Sequence, residues 1–463
     1  MHHTYDHVLF ISMDTCRADH LGCYGYARNT TPILLKFSEE NISCTKAFAS
    51  SVPTLPSHAS VFTSLYQGVH GAEVTTSTPI PDQIPTLADI LRRKGYITAA
   101  FHNGAQLSEI WNVFKGFDIV NFASSQSIKE SAELYCSFIQ THKDTKTFGF
   151  VHGLDLHFPF YKPDLFSSEL KVDKAQFITQ INTLEHQTTD HEIKTQFAAL
   201  YDDSLAFFDK YIGTIFDTLK NAGIYDKTII VIFGDHGEEM GERSLMAAHH
   251  KNLFEELIHV PLIMRIPGLA PTVIKTHVRL VDIMPTVLAA LGFEEKILMQ
   301  GQNLLPILRG EKGVDLPVFT EYINCTSSAI TIRTSFFQLI CERETTFFAR
   351  ARKQYALICA RAAQEQTPVR RCVVVIKMIL NRFFARSPFD TMTFCNFRKS
   401  PTPLPITFES KPFVRRNVKR LLELIHDQQQ ANKLVKKKMI QGRPKKVTIH
   451  DDMKKRLEEL GYL

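Results

Sequence analysis

Apolar residues in the first two thirds of the chain come in short runs that end on polar residues. Val8-Leu9-Phe10-Ile11-Ser12 runs to Asp14 and reads as a buried parallel strand with a carboxylate at its carboxyl end. Ile97 to Phe101 and Thr147 to His152 repeat the form. Thr228 to Phe233 is the strongest case and leads into Gly234-Asp235-His236-Gly237. Between these runs the spacing turns helical. Thr86 to Lys94 stops at Gly95, as a glycine just past a helix would stop it, and Gln196 to Ala222 stops before Gly223. Strands alternating with helices predict an α/β fold with a mainly parallel central sheet flanked by helices. Ligands of such folds bind outside the carboxyl ends of the strands. Asp14, Asp235 and His236 all fall there.

Beyond about residue 310 the pattern weakens. Ala329 to Arg333 and Phe336 to Ile340 predict a hairpin, which implies a smaller C-terminal α+β part. Residues 345–400 are rich in Arg, Phe and Cys and fit no clear period. Val373 to Leu380 is apolar but broken by Lys377, and it is too short to span a bilayer. Val414 to Met439 predicts a basic helix, and Asp451 to Leu460 a short terminal one. The expected division is a main domain over 1–310, a small strand subdomain over 311–350 and a basic, partly helical region over 351–463.

Composition supports a folded chain: 463 residues, 44% hydrophobic and 22% charged, close to the globular average. No apolar run reaches the roughly 18 residues of a membrane-spanning helix. The N-terminus shows neither a basic segment nor a long apolar one of the secretory kind. A cytoplasmic location is expected. The nine cysteines (16, 23, 44, 136, 325, 341, 359, 372 and 395) lack zinc-site spacing and are expected as free thiols and core packers. Charge divides along the chain. Residues 1–330 carry a net charge of about −11 and residues 331–463 about +17. The basic residues are spread out apart from Lys436-Lys437-Lys438 and Arg443-Pro444-Lys445-Lys446. A surface that balances the acidic part is one reading. Peripheral contact with anionic surfaces, lipid or nucleic acid, is the other.

Asp14, Asp235 and His236 are hard or borderline metal ligands. Asp235-His236 sits in a glycine-flanked turn where the chain can bend around an ion. Ser51-Val52-Pro53-Thr54-Leu55-Pro56-Ser57-His58-Ala59-Ser60 is a hydroxyl-rich stretch expected to open a helix, whose N-terminal amides favour an anion. Thr54 there is either a metal-activated nucleophile or a helix cap. Ser57 is the rival hydroxyl, with a structural role in the loop.

Taken together these segments resemble the sulfatase family of the alkaline phosphatase superfamily. Ile11 to Gly25 is similar to that family's first metal-binding segment. Thr54-Leu55-Pro56-Ser57-His58 falls where the family carries Cys/Ser-x-Pro-Ser-Arg, and His70-Gly71 follows at the expected distance. Asp155-Leu156-His157-Phe158-Pro159 resembles the histidine-proline segment. Gly234-Asp235-His236-Gly237-Glu238 is similar to the second metal-binding segment. His249-His250-Lys251 with Val260-Pro261-Leu262-Ile263, Asp282-Ile283-Met284-Pro285-Thr286 and Leu460-Gly461-Tyr462-Leu463 match further family segments. The matches keep family order over roughly residues 7–340.

The resemblance implies a sulfatase-like catalytic domain with an alkaline-phosphatase-like fold. It implies one divalent metal ion on Asp14, Asp235, His236 and Thr54. It also implies Thr54 as a nucleophile forming a covalent ester, and His157, His249 and Lys251 as groups that protonate the leaving oxygen and hold the anion. His250 is an alternative to His249, and Arg17 pairs with a carboxylate near the metal or with the anion, or else in a structural ion pair. The chain departs from the pattern at four positions. Thr15 replaces a second acidic residue, and His236 an asparagine, which favours manganese or zinc over calcium. His58 replaces the signature arginine, and Thr54 replaces the cysteine or serine that becomes formylglycine. The implied function is a hydrolase of sulfate, phosphate or phosphonate esters acting on a small-molecule, lipid or glycan ester. The alternatives are a phospho-group transferase (phosphoethanolamine- or glycerophosphate-type) and a non-catalytic binder on the same fold.

Overall fold

The computed structural model describes residues 5–104, 106–125, 127–160, 172–184, 187–243, 246–247, 253–325, 327–344, 391–396, 400–405, 412–440 and 455. Among them lie sixteen strands and eleven α-helices, with short 3-10 turns between.

The first strand, β1 (His7–Met13), is buried along its whole length and forms the centre of an eight-stranded sheet. On one side it pairs in parallel with β6 (Thr147–Gly153), then come β4 (Ile97–His102) and β5 (Ile119–Phe122). On the other side lies β7 (Thr228–Gly234), also parallel. Beyond it β9 (Leu262–Arg265) runs antiparallel, followed by β2 (Ile42–Cys44) and β10 (Thr272–Ile274). A three-stranded sheet joins β11 (Val278–Arg279), β3 (Ala47–Phe48) and β8 (His259–Val260). The expected strands at 8–12, 97–101, 147–152 and 228–233 are therefore found, each extended by one or two residues.

Strand pleating explains the layering. Val8 and Phe10 face one way, and the helices on that side are α2 (Thr54–Thr63), α3 (Gln67–His70), α4 (Leu87–Arg93), α9 (Ile283–Ala290) and α10 (Leu305–Leu308). Leu9 and Ile11 face the other way, against α1 (Pro32–Glu39), α5 (Ile128–His142) and α7 (His191–Asn221). Two short helices, α6 (Lys174–Thr183) and α8 (Glu255–Ile258), complete this part. The helix expected at 86–94 is α4. Thr86 and Asp89 form a reciprocal capping box at its start, and Gly95 past its end takes φ +85°.

The second sheet has five antiparallel strands: β12 (Val318–Ile323), β13 (Ser327–Arg333), β14 (Phe337–Glu344), β15 (Thr391–Asn396) and β16 (Ser400–Pro405). The expected hairpin is β13–β14, with Ile332 opposite Leu339. The sheet thus takes strands from both sides of residue 350. The last helix, α11 (Pro412–Met439), is the expected basic helix with two extra residues at its start. Its apolar side, Val418, Leu421 and Ile425, packs with Tyr66, Phe319, Ile332 and Leu339. Asn432 on the same side donates to the buried carboxylate of Glu321 at 2.8 Å. Arg416, Lys419, Arg420, Lys433, Lys437 and Lys438 point outward. The segments at 373–380 and 451–460 lie outside the described residues, apart from Lys455. No described helix is long and apolar enough to cross a membrane. Cys16, Cys44, Cys136, Cys341 and Cys395 are buried thiols, while Cys325 is exposed.

Candidate functional site

Two parallel strands deliver the acidic groups. Parallel pairing sets Met13 of β1 beside Gly234 of β7, so the residues that follow, Asp14 and Asp235, emerge side by side. Both are fully buried. The turn after β7 needs its glycines for space. A Cβ on Gly237 would lie 1.9 Å from the Glu256 carbonyl oxygen, and one on Gly234 would lie 2.7 Å from that of Cys16. The turn after β1 is held from α7, where the Tyr201 hydroxyl accepts from Arg17 N and donates to Thr15 O, both at 2.9 Å.

Helix α2 supplies the hydroxyl. It starts at Thr54, and Thr54 Oγ1 lies 3.3 Å from both Asp14 Oδ2 and His236 Nε2. One ligand atom each from Asp14, Asp235 and His236 falls within 4.8 Å of the others. Asp235 Oδ1 accepts from the backbone N–H of Thr15 at 3.1 Å and of His236 at 2.8 Å. Its Oδ2 has no hydrogen-bond partner among the described residues, and neither has Asp14 Oδ1. Ser57 donates to the Asp235 carbonyl at 2.7 Å, the loop role expected of it.

The protonation states follow from these contacts. Burial raises the Asp14 carboxyl above its ordinary range, against the lowering influence of His157 and His236. Burial also raises Asp235, and the neighbouring Asp14 charge adds to the effect. For His236, burial opposes the charged form, but the carboxylates of Asp235 and Asp14 outweigh it and raise the imidazole. His236 Nδ1–H donates to the Gly237 carbonyl at 2.9 Å, which fixes that nitrogen as the donor and turns Nε2 toward the carboxylates. Two unpartnered carboxylate oxygens, an imidazole nitrogen and a hydroxyl converge here. That donor set fits one divalent cation, which would offset the like charges.

Behind this face is a layer of neutral histidines. His58 Nδ1 bonds the Thr54 carbonyl at 2.8 Å and so carries the proton; Nε2 therefore accepts from Ser12 Oγ at 2.8 Å. His58 stands 3.6 Å from Asp235 Oδ2, yet burial holds its pKa down to about 4. His152 Nε2–H donates to Asp14 Oδ2 at 3.0 Å, and burial lowers this ring to about 4 as well. The remaining His152 nitrogen faces the Asn103 side chain at 3.2 Å. The two rings meet edge to face at 5.4 Å.

His157 is buried in the turn after β6, its Nδ1 bonded to the Phe158 carbonyl, and close enough to Asp14 to bear on its charge. His249, His250 and Lys251 lie outside the described residues. Among the described residues the Arg17 guanidinium bonds neither carboxylate of the acidic pair. It binds Asp19 through Nε and Nη2, at 3.0 and 2.8 Å, and Glu242 through Nη1 at 2.5 Å, the structural alternative of the two expected for it.

His152, Ser12, Asn103 and Gln106 were not singled out from the sequence. A signal for His152 existed: it ends the third strand run, and the parallel register sets it beside Ser12, two residues before Asp14. The Gln106 side chain reaches the start of α2, where Oε1 accepts from Leu55 N at 2.9 Å, a contact with no signature in sequence spacing.

Comparison with known proteins places this geometry. The family model described as Sulfatase matches residues 6–293. A choline-sulfatase of Rhizobium meliloti is 27% identical over 308 residues, covering 59% of this chain and 60% of that protein. An arylsulfatase K of Rattus norvegicus is 22% identical over 369 residues, covering 65% of this chain and 64% of that protein. The chain therefore spans less than two thirds of the length of these curated relatives. Among solved structures, a protein in complex with its substrate D-glucosamine-2-N,6-O-disulfate superposes with a TM-score of 0.67 at 18% identity, over 92% of this chain and 98% of that one. A phosphonate monoester hydrolase of Agrobacterium radiobacter gives 0.61 at 20% identity, over 77% and 96%. These superpositions bear out the expected fold, an alkaline-phosphatase-like α/β sheet with a C-terminal antiparallel sheet.

Proposed function

The chain belongs to the sulfatase family, and from that premise we propose that it is a metal-dependent hydrolase of sulfate, phosphate or phosphonate monoesters with Thr54 as its nucleophile. One observation carries this reading. The Thr54 hydroxyl stands at the N-terminus of α2, 3.3 Å from Asp14 Oδ2 and from His236 Nε2, beside two buried carboxylate oxygens that have no hydrogen-bond partner among the described residues. A divalent ion held by Asp14, Asp235, His236 and Thr54 would lower the hydroxyl pKa and neutralise one oxygen of the tetrahedral group. The donor set, with its imidazole, favours manganese or zinc over calcium.

The chain's own residues supply the rest. Thr54 Oγ1 attacks sulfur or phosphorus in line, and its proton passes to a neighbouring base, for which Asp14 Oδ2 is in place. The bond to the ester oxygen breaks, and the alcohol departs with a proton from His157, His249 or Lys251. Water then cleaves the threonine ester and frees sulfate, phosphate or phosphonate. The likeness to a choline-sulfatase favours water over an alcohol as acceptor.

The test strips the purified chain of metal, then reloads it in turn with manganese, zinc and calcium. Nitrophenyl sulfate, nitrophenyl phosphate, a phosphodiester and a phosphonate monoester serve as substrates, with Thr54→Ala and Asp235→Ala alongside. Metal-dependent turnover that disappears in both variants supports the reading. Turnover indifferent to either substitution contradicts it.

A further inference from the structure

The start of α2 is unusual in where its hydrogen bonds go. Pro53 precedes it and offers no side-chain cap, and Pro56 has no N–H. Leu55 N is met from a different element, by Gln106 Oε1 at 2.9 Å from the loop after β4. That contact fixes the orientation of the amide. A backbone N–H can be accepted only by the oxygen, so the NH2 end must face elsewhere.

Gln106 is 2% exposed, and among the described residues Nε2 has no hydrogen-bond partner. Burying a donor unpaired costs free energy, which capping Leu55 N alone does not require. The neighbouring Asn103 differs. Its Nδ2 also lacks a partner as placed, but turning the amide over would give it the lone pair of His152 Nδ1. Gln106 has no such exchange. The amide that carries this spare donor meets the residue next to Thr54, at a helix N-terminus that favours negative charge.

We propose that Gln106 Nε2 donates to a non-bridging oxygen of the tetrahedral sulfuryl, phosphoryl or phosphonyl group held at Thr54. Gln106 then has two jobs on one amide: the oxygen pins α2, and the nitrogen binds the anion that α2 faces. The inference rests on the functional reading above, and its test is arranged to fail separately.

Gln106→Glu keeps an acceptor for Leu55 N and removes the donor; Gln106→Met removes both. The metal-loaded full chain is melted with and without inorganic phosphate and sulfate, and kcat and KM are measured on the best ester. The assays run above neutral pH, so that the introduced carboxylate is ionised. Gln106→Glu should melt lower than the parent without anion, because it buries a carboxylate, and should also lose the stabilisation by phosphate or sulfate and at least about 10- to 100-fold in kcat/KM, the scale of one hydrogen bond to a charged group. Gln106→Met should show the same anion defect plus a lower melting temperature. A Gln106→Glu protein that keeps both anion stabilisation and kcat/KM within a few-fold, while Gln106→Met is merely less stable, makes the residue a cap and overturns the proposal. If Thr54→Ala still turns over while the anion defect of Gln106→Glu is present, the nucleophile reading fails and the Gln106 site stands.

Discussion

Asp14 lies between two layers built from the same kinds of side chain and finished differently. In front of it, toward Thr54, Asp235 and His236, one oxygen each of Asp14 and Asp235 is buried with no hydrogen-bond partner among the described residues, and like charges face each other. Behind it, His58 and His152 are neutral and both nitrogens of each ring are in contact with a polar neighbour. A fold alone would not keep the front layer as it is, because unpaired buried carboxylate oxygens cost stability. The difference teaches where function and where scaffold reside. Incomplete pairing marks atoms kept for a ligand, and complete pairing marks atoms that hold the first set in place.

Substitutions in the front layer should separate activity from stability most strongly. Thr54→Ala is expected to lower kcat by at least about 10³-fold, measured at saturating metal. Asp235→Asn should weaken metal binding by about 10²-fold or more in a chelator competition, yet raise the melting temperature of the metal-free protein. The sign follows from the raised carboxyl pKa values. A carboxyl that folding pushes above its unfolded value costs stability at any pH above that value, so a neutral amide at 235 removes the cost carried there by burial and the Asp14 charge. A fall in the metal-free melting temperature would break the contrast.

The back layer should behave the opposite way. His152→Leu takes the closer donor from Asp14 Oδ2, leaving Thr54 Oγ1 at 3.3 Å, and is expected to cost about 1–3 kcal/mol in denaturant unfolding. It should also weaken metal binding about 10- to 100-fold. Ser12→Ala removes only the hydroxyl that His58 Nε2 accepts from. About 1 kcal/mol of stability should go, with kcat within a few-fold of the parent.

The last effect expected lies beyond α2, at the end of α3, and shows that neutral histidines are a habit of this scaffold. His70 accepts from Ala72 N through Nδ1, and its Nε2 meets Ser60 Oγ; burial, with Lys436 nearby, lowers its pKa to about 3. Its neutral form is favoured by folding, so its contribution is complete above the ordinary histidine value of about 6.5. The contribution is lost as pH falls from there toward 3, because the unfolded chain takes up the proton first. Unfolding free energy should decline with acid over that range, and less steeply in His70→Gln.

The fold was legible where apolar runs are long and uninterrupted. β1 and β7 announce themselves by composition, and the residues after them are then placed by parallel register alone. Asp14, Thr54, Asp235 and His236 could be named before any coordinates because each belongs to a contiguous motif. His152 was not, because its one signal, the end of a strand run, gains meaning only from the register across the sheet. Gln106 was invisible for a different reason: its partner Leu55 is 51 positions away and contributes only a backbone N–H. Arg17 illustrates the limit of charge reading. Its neighbourhood offered both an anion and acidic partners, and only the folded geometry shows that Asp19 and Glu242 hold it.

The most direct test of the central claim is to stop turnover of the metal-loaded chain with acid during the first cycles and map its peptides by mass spectrometry. The account predicts a peptide carrying one added sulfuryl or phosphoryl group on Thr54, absent from Thr54→Ala, which in turn does not turn over. An adduct on another residue, or full turnover by Thr54→Ala, would contradict it.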